Sequence, residues 1–463
     1  MTSVLQKHRL LLVLLMGLAI RLPFLSWPGT SDMEAFRLWG AKALHGGFTH
    51  VYTLRDTDVL TLALQKMQGM APQPHVRTLT ELGVSRGIPD YPPGGVLPLE
   101  LSAGLSKFLQ GGRLQRGPLL NACLNFFPVL FSMGIAVALW LLLPEAGESR
   151  RLAAVSAFWL NPAILLTSPI LGYQDPIFAF FALMALLFLY RRRYMTSAVF
   201  LALSCLIKPQ PLILIPIAVT VAFADGGWAL ARRSSLAVFF CGVAGLLPFV
   251  ATRRALGIFA GMYQQALMPD LSEQALNVWW LVGTVAQGLR AGSLRPLAPI
   301  VQLCPRQLFL ETFGLPPGWL SFVSLAVFTV LMVRFLITQL RQGHRLAIFW
   351  AAALELYAFT MLSLTVHENH LFGFFVYLLP LLALADRSWW KIYGSLTAIY
   401  LLNLFLFEGL GQGWNQNLRL RSLTIVDITL PVALANVVIF ALILGTKHWL
   451  FDRARPQPAT RIQ

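Results

Sequence analysis

Five short polar stretches carry the side chains best suited to chemistry: Ser31-Asp32-Met33-Glu34-Ala35, Asp90-Tyr91-Pro92-Pro93, Gly172-Tyr173-Gln174-Asp175-Pro176, Lys208-Pro209-Gln210 and His367-Glu368-Asn369-His370. Each borders or interrupts an apolar run. Asp32 falls in the first turn of a helix predicted from Met33 to about Leu44. The positive end of that helix keeps a carboxylate ionised and fixed, which suits a general base that takes a hydroxyl proton. Ser31-x-x-Glu34 has capping-box spacing, so Ser31 and Glu34 divide between helix capping and ligand contact. Lys208 has no acidic neighbour in sequence and lies between two apolar runs. A lone ammonium there needs an anionic partner, and a lipid phosphate supplies one. His367 and His370 bracket Glu368. H-x-x-H on a helix can bind zinc, but no third ligand is evident. Hydrogen bonding of the imidazoles to a phosphate, with Glu368 orienting one ring, fits better, and no metal site is assigned. Asp32 and Glu34 could together help bind a divalent cation.

The other candidates have two readings each. In Asp90-Tyr91-Pro92-Pro93 the prolines suit a turn into a helix start, while Asp90 and Tyr91 remain available to a ligand. Asp175 either caps the helix 176–190 or, with Gln174 and Gln210, contacts a sugar hydroxyl or an acceptor. Trp279 and Trp280 are interfacial anchors or a stacking surface for a sugar.

These groups must be positioned by membrane helices. The 463 residues are 57% hydrophobic and 12% charged, with mean hydropathy +0.66. Soluble domains average about 25% charged, so the chain is predicted to be an all-α, polytopic membrane protein. The net charge of +16 does not indicate nucleic acid, because the Lys and Arg residues come in small groups between apolar runs, as the positive-inside bias requires. Four scattered cysteines show neither metal nor disulfide spacing. Lys7, His8 and Arg9 precede the first apolar segment and no small-residue cleavage pattern follows it, so it is predicted to be a retained span.

Twelve candidate spans are 10–27, 118–143, 152–169, 174–190, 195–208, 209–225, 234–252, 318–340, 345–366, 370–386, 391–408 and 424–446. If they alternate, the basic clusters (Lys7/Arg9, Arg150/Arg151, Arg191–Arg193, Arg232/Arg233, Arg341/Arg345, Arg387/Lys391 and Lys447/Arg453/Arg455) all fall on one side, the cytoplasm. The five polar stretches then share the external side. Two places decide this topology. The run 195–225 is predicted to be two short spans meeting at Lys208, each rising only about 21–26 Å at 1.5 Å per residue. The run 93–110, broken by Pro98 and Glu100, is predicted to lie on the surface or re-enter. A single membrane domain is expected, with a large first external loop (28–117) bearing surface helices, a second external loop (253–317) and a disordered cytoplasmic tail (452–463). The first-loop helix should show a lipid-leaning face of Phe36, Leu38, Trp39 and Leu44.

In order and on one predicted side, these motifs resemble the GT-C superfamily of integral-membrane glycosyltransferases, closest to the dolichyl-phosphate-glucose glucosyltransferases and their bacterial relatives. The first-loop motif Asp-Tyr-Glu-Ala of those enzymes is matched by Asp32-Met33-Glu34-Ala35, Asp-Tyr-Pro-Pro is identical at 90–93, and Val-His-Glu is matched by Val366-His367-Glu368. The likeness runs from about residue 10 to 370. It implies a GT-C-like bundle and inverting transfer of a hexose from a polyprenyl-phosphate donor to the hydroxyl of a lipid- or protein-linked glycan, with no cofactor. Asp32 would be the base, and Lys208, His367 and His370 would contact the donor phosphate. Glu34, Asp90, Tyr91, Gln174, Asp175, Gln210, Glu368, Trp279 and Trp280 would line the sugar or acceptor pocket. The family's His-Phe-Gln-Tyr-Asn-Gly becomes Gly172-Tyr173-Gln174-Asp175-Pro176 here, and the C-terminal spans are fewer. A bacterial cytoplasmic membrane, with the site facing outward and an undecaprenyl-type lipid, is the expected setting. The alternative is a transporter or lipid flippase, which predicts inverted repeats and mid-span polar groups; no repeat is visible.

Overall fold

The computed structural model describes residues 2–53, 88–266, 268–292, 303–385, 388–411 and 428–452. Among them the architecture is helical, with β pairing limited to three isolated bridges. The polar middle of the first loop, most of the Pro-rich stretch 294–305, and the tail lie outside the described residues. Helix α1 (Thr2–Arg21) is followed by α2 (Asp32–Gly46), α3 (Pro93–Leu109) and α4 (Pro118–Leu142). Next come α5 (Glu148–Trp159), continued at a bend of 44° by Pro162–Ile170, then α6 (Asp175–Tyr190) and α7 (Tyr194–Ile207). The second half contains α8 (Ile215–Ala251), α9 (Ala255–Ala266), α10 (Val278–Arg290), α11 (Arg306–Phe313), α12 (Pro317–Arg341), α13 (Ala347–Leu362), α14 (Phe372–Leu384), α15 (Ser388–Glu408) and α16 (Thr429–Asp452).

Every one of the twelve predicted spans contains helix, but the span count is not reproduced. Among the described residues, four helical segments are long and apolar enough to cross a membrane alone (Pro118–Leu142, Gln210–Ala251, Pro317–Arg341 and Ser388–Glu408), and a fifth if the bent pair 148–170 is one span. Several others, including α6, α7, α13 and α14, are shorter than the roughly 20 residues a lone span needs. The expected split of 195–225 is present. Lys208 takes φ −147°, ψ 145°, the extended conformation that Pro209 imposes on the residue before it. A 3-10 turn (Gln210–Leu214) then leads into α8. Helix α8 itself breaks at Gly226 and at Gly227, whose φ of 65° is open to glycine at no steric cost. Its second arm passes Leu206 at Gly245. The two arms and α7 enclose an apolar cavity of about 210 Å³, lined by Leu201, Ile215 and Val238 among others.

The core centres on α13 and α14, whose residues are buried on nearly every side, as a helix apolar all round must be. A second apolar cluster joins α2, α3, Val51, Tyr52, Leu120, Phe249 and Ile258. This corrects the expected lipid-leaning face of α2: Phe36 is 1% and Trp39 5% exposed, because α3 and α4 cover the helix. The exposed apolar stripe lies on α3 instead, at Leu97, Leu101 and Leu105, spaced four residues apart on one helix face. Helix α3 is not among the segments long and apolar enough to cross. Arg21 closes α1 by stacking 3.7 Å over the Trp159 ring, and its Nη1 donates to the Gly17 and Trp159 carbonyls at 2.9 and 2.8 Å.

Helices α2 and α3 pack closely at Gly40, where a Cβ would stand 2.5 Å from the Leu99 carbonyl oxygen. Gly40→Ala should therefore force the helices apart and cost about 1–3 kcal/mol, read as a lower thermal unfolding midpoint in detergent. Gly104→Ala, whose Cβ would meet only Leu44 at 3.7 Å, should not lower it.

Candidate functional site

The site is assembled from helix ends, where backbone groups lack intrahelical partners and side chains can converge. At its centre Lys208 Nζ donates to Asp175 Oδ1 at 2.6 Å, with the two side chains 6% and 0% exposed. The other oxygen, Asp175 Oδ2, accepts from Asn369 Nδ2 at 2.8 Å. The Tyr91 and Phe178 rings lie 5.4 and 5.6 Å from the ammonium, within cation–π range. The Asp-Tyr-Pro-Pro stretch, the α6 start, the α7–α8 junction and the His-Glu-Asn-His turn thus meet at one ion pair. Tyr400 of α15 supports it, donating to the Asn369 carbonyl at 3.1 Å and lying 3.2 Å from Thr167 Oγ1.

This arrangement corrects two expectations. Lys208 does not wait for a lipid phosphate to balance it, because Asp175, 33 residues earlier, already does. Its remaining N–H groups are what a phosphate would meet. Asp175 does not act as a cap: it is the first residue of α6, and its carboxylate turns to Lys208 and Asn369.

Asp32 opens α2 half-buried, and its backbone N–H donates to Thr30 Oγ1 at 3.3 Å. Thr30 is itself held by the Leu171 carbonyl at 3.0 Å, which brings the start of α2 beside the Gly172–Asp175 turn. The Asp32 carboxylate has no ion pair or hydrogen bond among the described residues, yet its charge acts on Tyr91, Tyr173, Asp175, His367 and Glu368. The predicted capping box is absent. Ser31 makes no side-chain cap, and Glu34 turns away to pair with Arg37 at 2.7 Å and with Arg116. Arg37 in turn donates to Asn121 at 3.0 Å and to the Pro28 carbonyl at 2.9 Å. Glu34 therefore fastens α2 to its neighbours.

Glu368 accepts from the Tyr173 hydroxyl, and the charge of Glu408, at the end of α15, also acts on both. His367 and His370 lie with ring centroids 5.4 Å apart. Burial pushes the His367 imidazole below its ordinary pKa; Asp32 opposes this and Lys208 adds to it. Burial, reinforced by nearby carboxylates, pushes the Tyr91 and Tyr173 hydroxyls up. Asp90 acts on Tyr52 and Tyr91, and the Tyr52 hydroxyl donates to the Tyr91 carbonyl at 2.6 Å. Gln174 and Gln210 are both buried beside the central pair. Among the described residues no three His, Cys, Asp or Glu side chains are grouped to hold a metal ion.

Trp279 and Trp280 do not offer a stacking face. Their indole N–H groups donate to the Leu362 carbonyl at 2.7 Å and Thr429 Oγ1 at 3.0 Å, and their rings pack edge-on against Phe309 and Phe407. They anchor α10 to the core.

Sequence reasoning missed a strap across the site. The Glu273 and Ala275 N–H groups donate to the Val366 carbonyl at 3.1 and 3.3 Å, and Thr365 N–H donates to the Leu271 carbonyl at 3.0 Å. Both Glu273 and Gln274 bridge to His367. Gln274 and Thr365 hold φ of 74° and 53°, left-handed conformations that cost non-glycine residues about 1–3 kcal/mol and persist where surroundings impose them. Glu273, Asp270 and Arg306 form a charged group beside the strap. Burial, then Asp270, raises the Glu273 carboxyl from 4.5 to about 7, with Arg306 opposing. No sequence signal marks this segment beyond the neighbouring Asn277, whose side chain caps α10 at Trp280 N, 3.1 Å away.

No protein-family model matches the chain, and no curated protein matches it.

Lys208→Met should destabilise the protein by about 3–5 kcal/mol, because it strands a buried carboxylate. Asp175→Asn combined with Lys208→Met should cost distinctly less, measured as a double-mutant cycle of unfolding. Glu273 gives a pH signature. Its raised pKa means the folded protein binds more protons than the unfolded chain between pH 4.5 and about 7. Its stabilising contribution is therefore complete below 4.5 and lost as pH rises through 7. Thermal unfolding across that window should show a falling midpoint in the wild type, and a flatter profile in Glu273→Gln.

Proposed function

We propose that the protein is an integral-membrane glycosyltransferase that moves a sugar from a polyprenyl-phosphate donor to an acceptor hydroxyl at the outer face of a bacterial cytoplasmic membrane. The observation that carries this reading is the meeting of four sequence-distant polar stretches at one buried ion pair, with the unpaired Asp32 carboxylate of the fifth beside it. In this reading the twelve helical segments alternate across the bilayer, with both termini in the cytoplasm.

The chemistry assigns each group a task. The acceptor hydroxyl attacks the anomeric carbon from the face opposite the phosphate, and Asp32 takes its proton. The new carbon–oxygen bond forms as the bond to the phosphate oxygen breaks, which inverts the centre and releases polyprenyl phosphate. Negative charge grows on that phosphate. The free N–H groups of Lys208 and a neutral His367 imidazole are suited to receive it. Asp175 holds Lys208 in place.

A transporter or flippase has one observation in its favour. Glu355 is a buried carboxylate in the middle of α13, with Thr329 at 3.3 Å. A transport path needs a row of such groups, and among the described residues Glu355 has this hydroxyl alone as a hydrogen-bond partner.

Asp32→Asn should fold and bind lipid-linked sugar as the wild type does, while transfer falls by about 10²–10⁴-fold, the range of general-base loss. Reconstituted protein with labelled polyprenyl-phosphate sugars tests this. Wild-type turnover in the variant would remove Asp32 as the base.

A further inference from the structure

The apolar cavity between α7 and the two arms of α8 begins at the end of α7 far from Lys208, and its wall carries a hydroxyl with nothing to bind. From Tyr194 to Leu201 the cavity follows α7 for about 10 Å, at 1.5 Å per residue. Phe239, 61% exposed, marks its open rim. Its volume of about 210 Å³ exceeds the roughly 150 Å³ of an apolar cavity that accepts benzene, so a stretch of hydrocarbon chain fits. Three of its lining hydroxyls are spoken for. Tyr194 donates to Asp225 Oδ2 at 2.7 Å, Ser197 to the Ala185 carbonyl at 2.8 Å, and Ser235 to the Ala231 carbonyl at 2.9 Å. Ser234, 7% exposed, has no partner for its Oγ among the described residues. A buried hydroxyl in that state bears its full desolvation cost. The residues beside this end are arginines. Arg193 is the N-cap of α7, directly before Tyr194, and Arg232 and Arg233 directly precede Ser234. Arg192, Arg193, Arg232 and Arg233 are exposed, and among the described residues none makes a side-chain hydrogen bond or ion pair. Asp225, which Tyr194 meets at this end, is already paired with Arg345 at 2.7 Å.

We propose that this cavity is a binding site for an anionic phospholipid of the surrounding membrane. One acyl chain enters between α7 and the arms of α8, and the phosphate is held by Ser234 and by arginines 192, 193, 232 and 233. Basic pockets between membrane helices recognise anionic headgroups in this way. The Ser234 hydroxyl donates to a phosphate or ester oxygen, and a guanidinium fork matches two phosphate oxygens at once. The chain adds dispersion contacts along Leu201 and its neighbours. A zwitterionic lipid brings the same chain and phosphate, but its own cation competes with the arginines. Free phosphate brings no chain. The site is distinct from the Asp175–Lys208 pair, and it rests on the placement of these helices in a membrane and not on the glycosyltransferase reading.

The test is photolabelling of the full-length protein in detergent micelles by phosphatidylglycerol that carries a diazirine in one acyl chain. Peptides holding residues 194–201 and 234–239 should be labelled. Unlabelled phosphatidylglycerol should compete better than phosphatidylcholine of the same chains by about fivefold or more, the worth of one arginine near a membrane surface. Arg232→Gln combined with Arg233→Gln should remove most of that preference. Ala218→Phe, which fills the cavity from the first arm of α8, should abolish the labelling, with folding checked by the unfolding midpoint. Equal competition by phosphatidylcholine would overturn the site, as would label spread evenly onto the exposed Phe322 and Val330 of α12. Unchanged labelling in a folded Ala218→Phe variant would do the same. Undecaprenyl phosphate displacing the probe better than phosphatidylglycerol would overturn the phospholipid assignment. Where Ala218→Phe does not fold, the competition between the lipids decides alone.

Discussion

The contact between Asp175 and Lys208 is where the structure concentrates its electrostatic cost. Bringing two charges out of water is expensive, several kcal/mol per ion even after relaxation, and is offset only by close geometry and further hydrogen bonds. Both are present: the pair is 2.6 Å apart, Asn369 takes the second carboxylate oxygen, and two aromatic rings flank the ammonium. The prolines make this possible. Pro176 sits at the start of α6 and Pro209 forces Lys208 to be extended, so both charged residues stand at helix ends, where side chains can turn inward. Remove either charge and three chain segments lose the reason to meet.

The outer parts of the fold are arranged to hold the ends that meet there. Glu34, Arg37, Arg116 and Asn121 fasten α2 to its neighbours through charge-assisted bonds, which frees Asp32 from any such duty. Division of labour between two carboxylates only two residues apart comes from their surroundings. One is saturated with guanidinium groups and the other has none.

Much of the helical framework was legible because apolar runs and prolines are local signals. Each of the twelve runs contains helix, and the breaks at Lys208 and at Gly226-Gly227 fall where proline and glycine place them. Lengths of individual helices, and therefore the number that can cross a membrane alone, were less legible, since short helices depend on neighbours that sequence does not show. The motif residues were recognisable one by one, but their partners were not. Nothing near Lys208 in sequence announces Asp175, and nothing in α15 announces Tyr400 or Glu408. The burial of α2 was illegible for the same reason: the segments that cover Phe36 and Trp39 lie far from them in sequence. Tryptophans 279 and 280 mislead similarly, because an indole that packs and an indole that stacks on a ligand are identical in sequence.

His367 is bridged through its backbone by two consecutive residues of the strap, Glu273 and Gln274. The backbone that carries this ring is tied to the strap, and the strap lies between α9 and α10. Thermodynamic linkage then works in both directions. Anything that favours one strap position would shift the His367 backbone, and anything that prefers one His367 position would shift the strap by the same free energy.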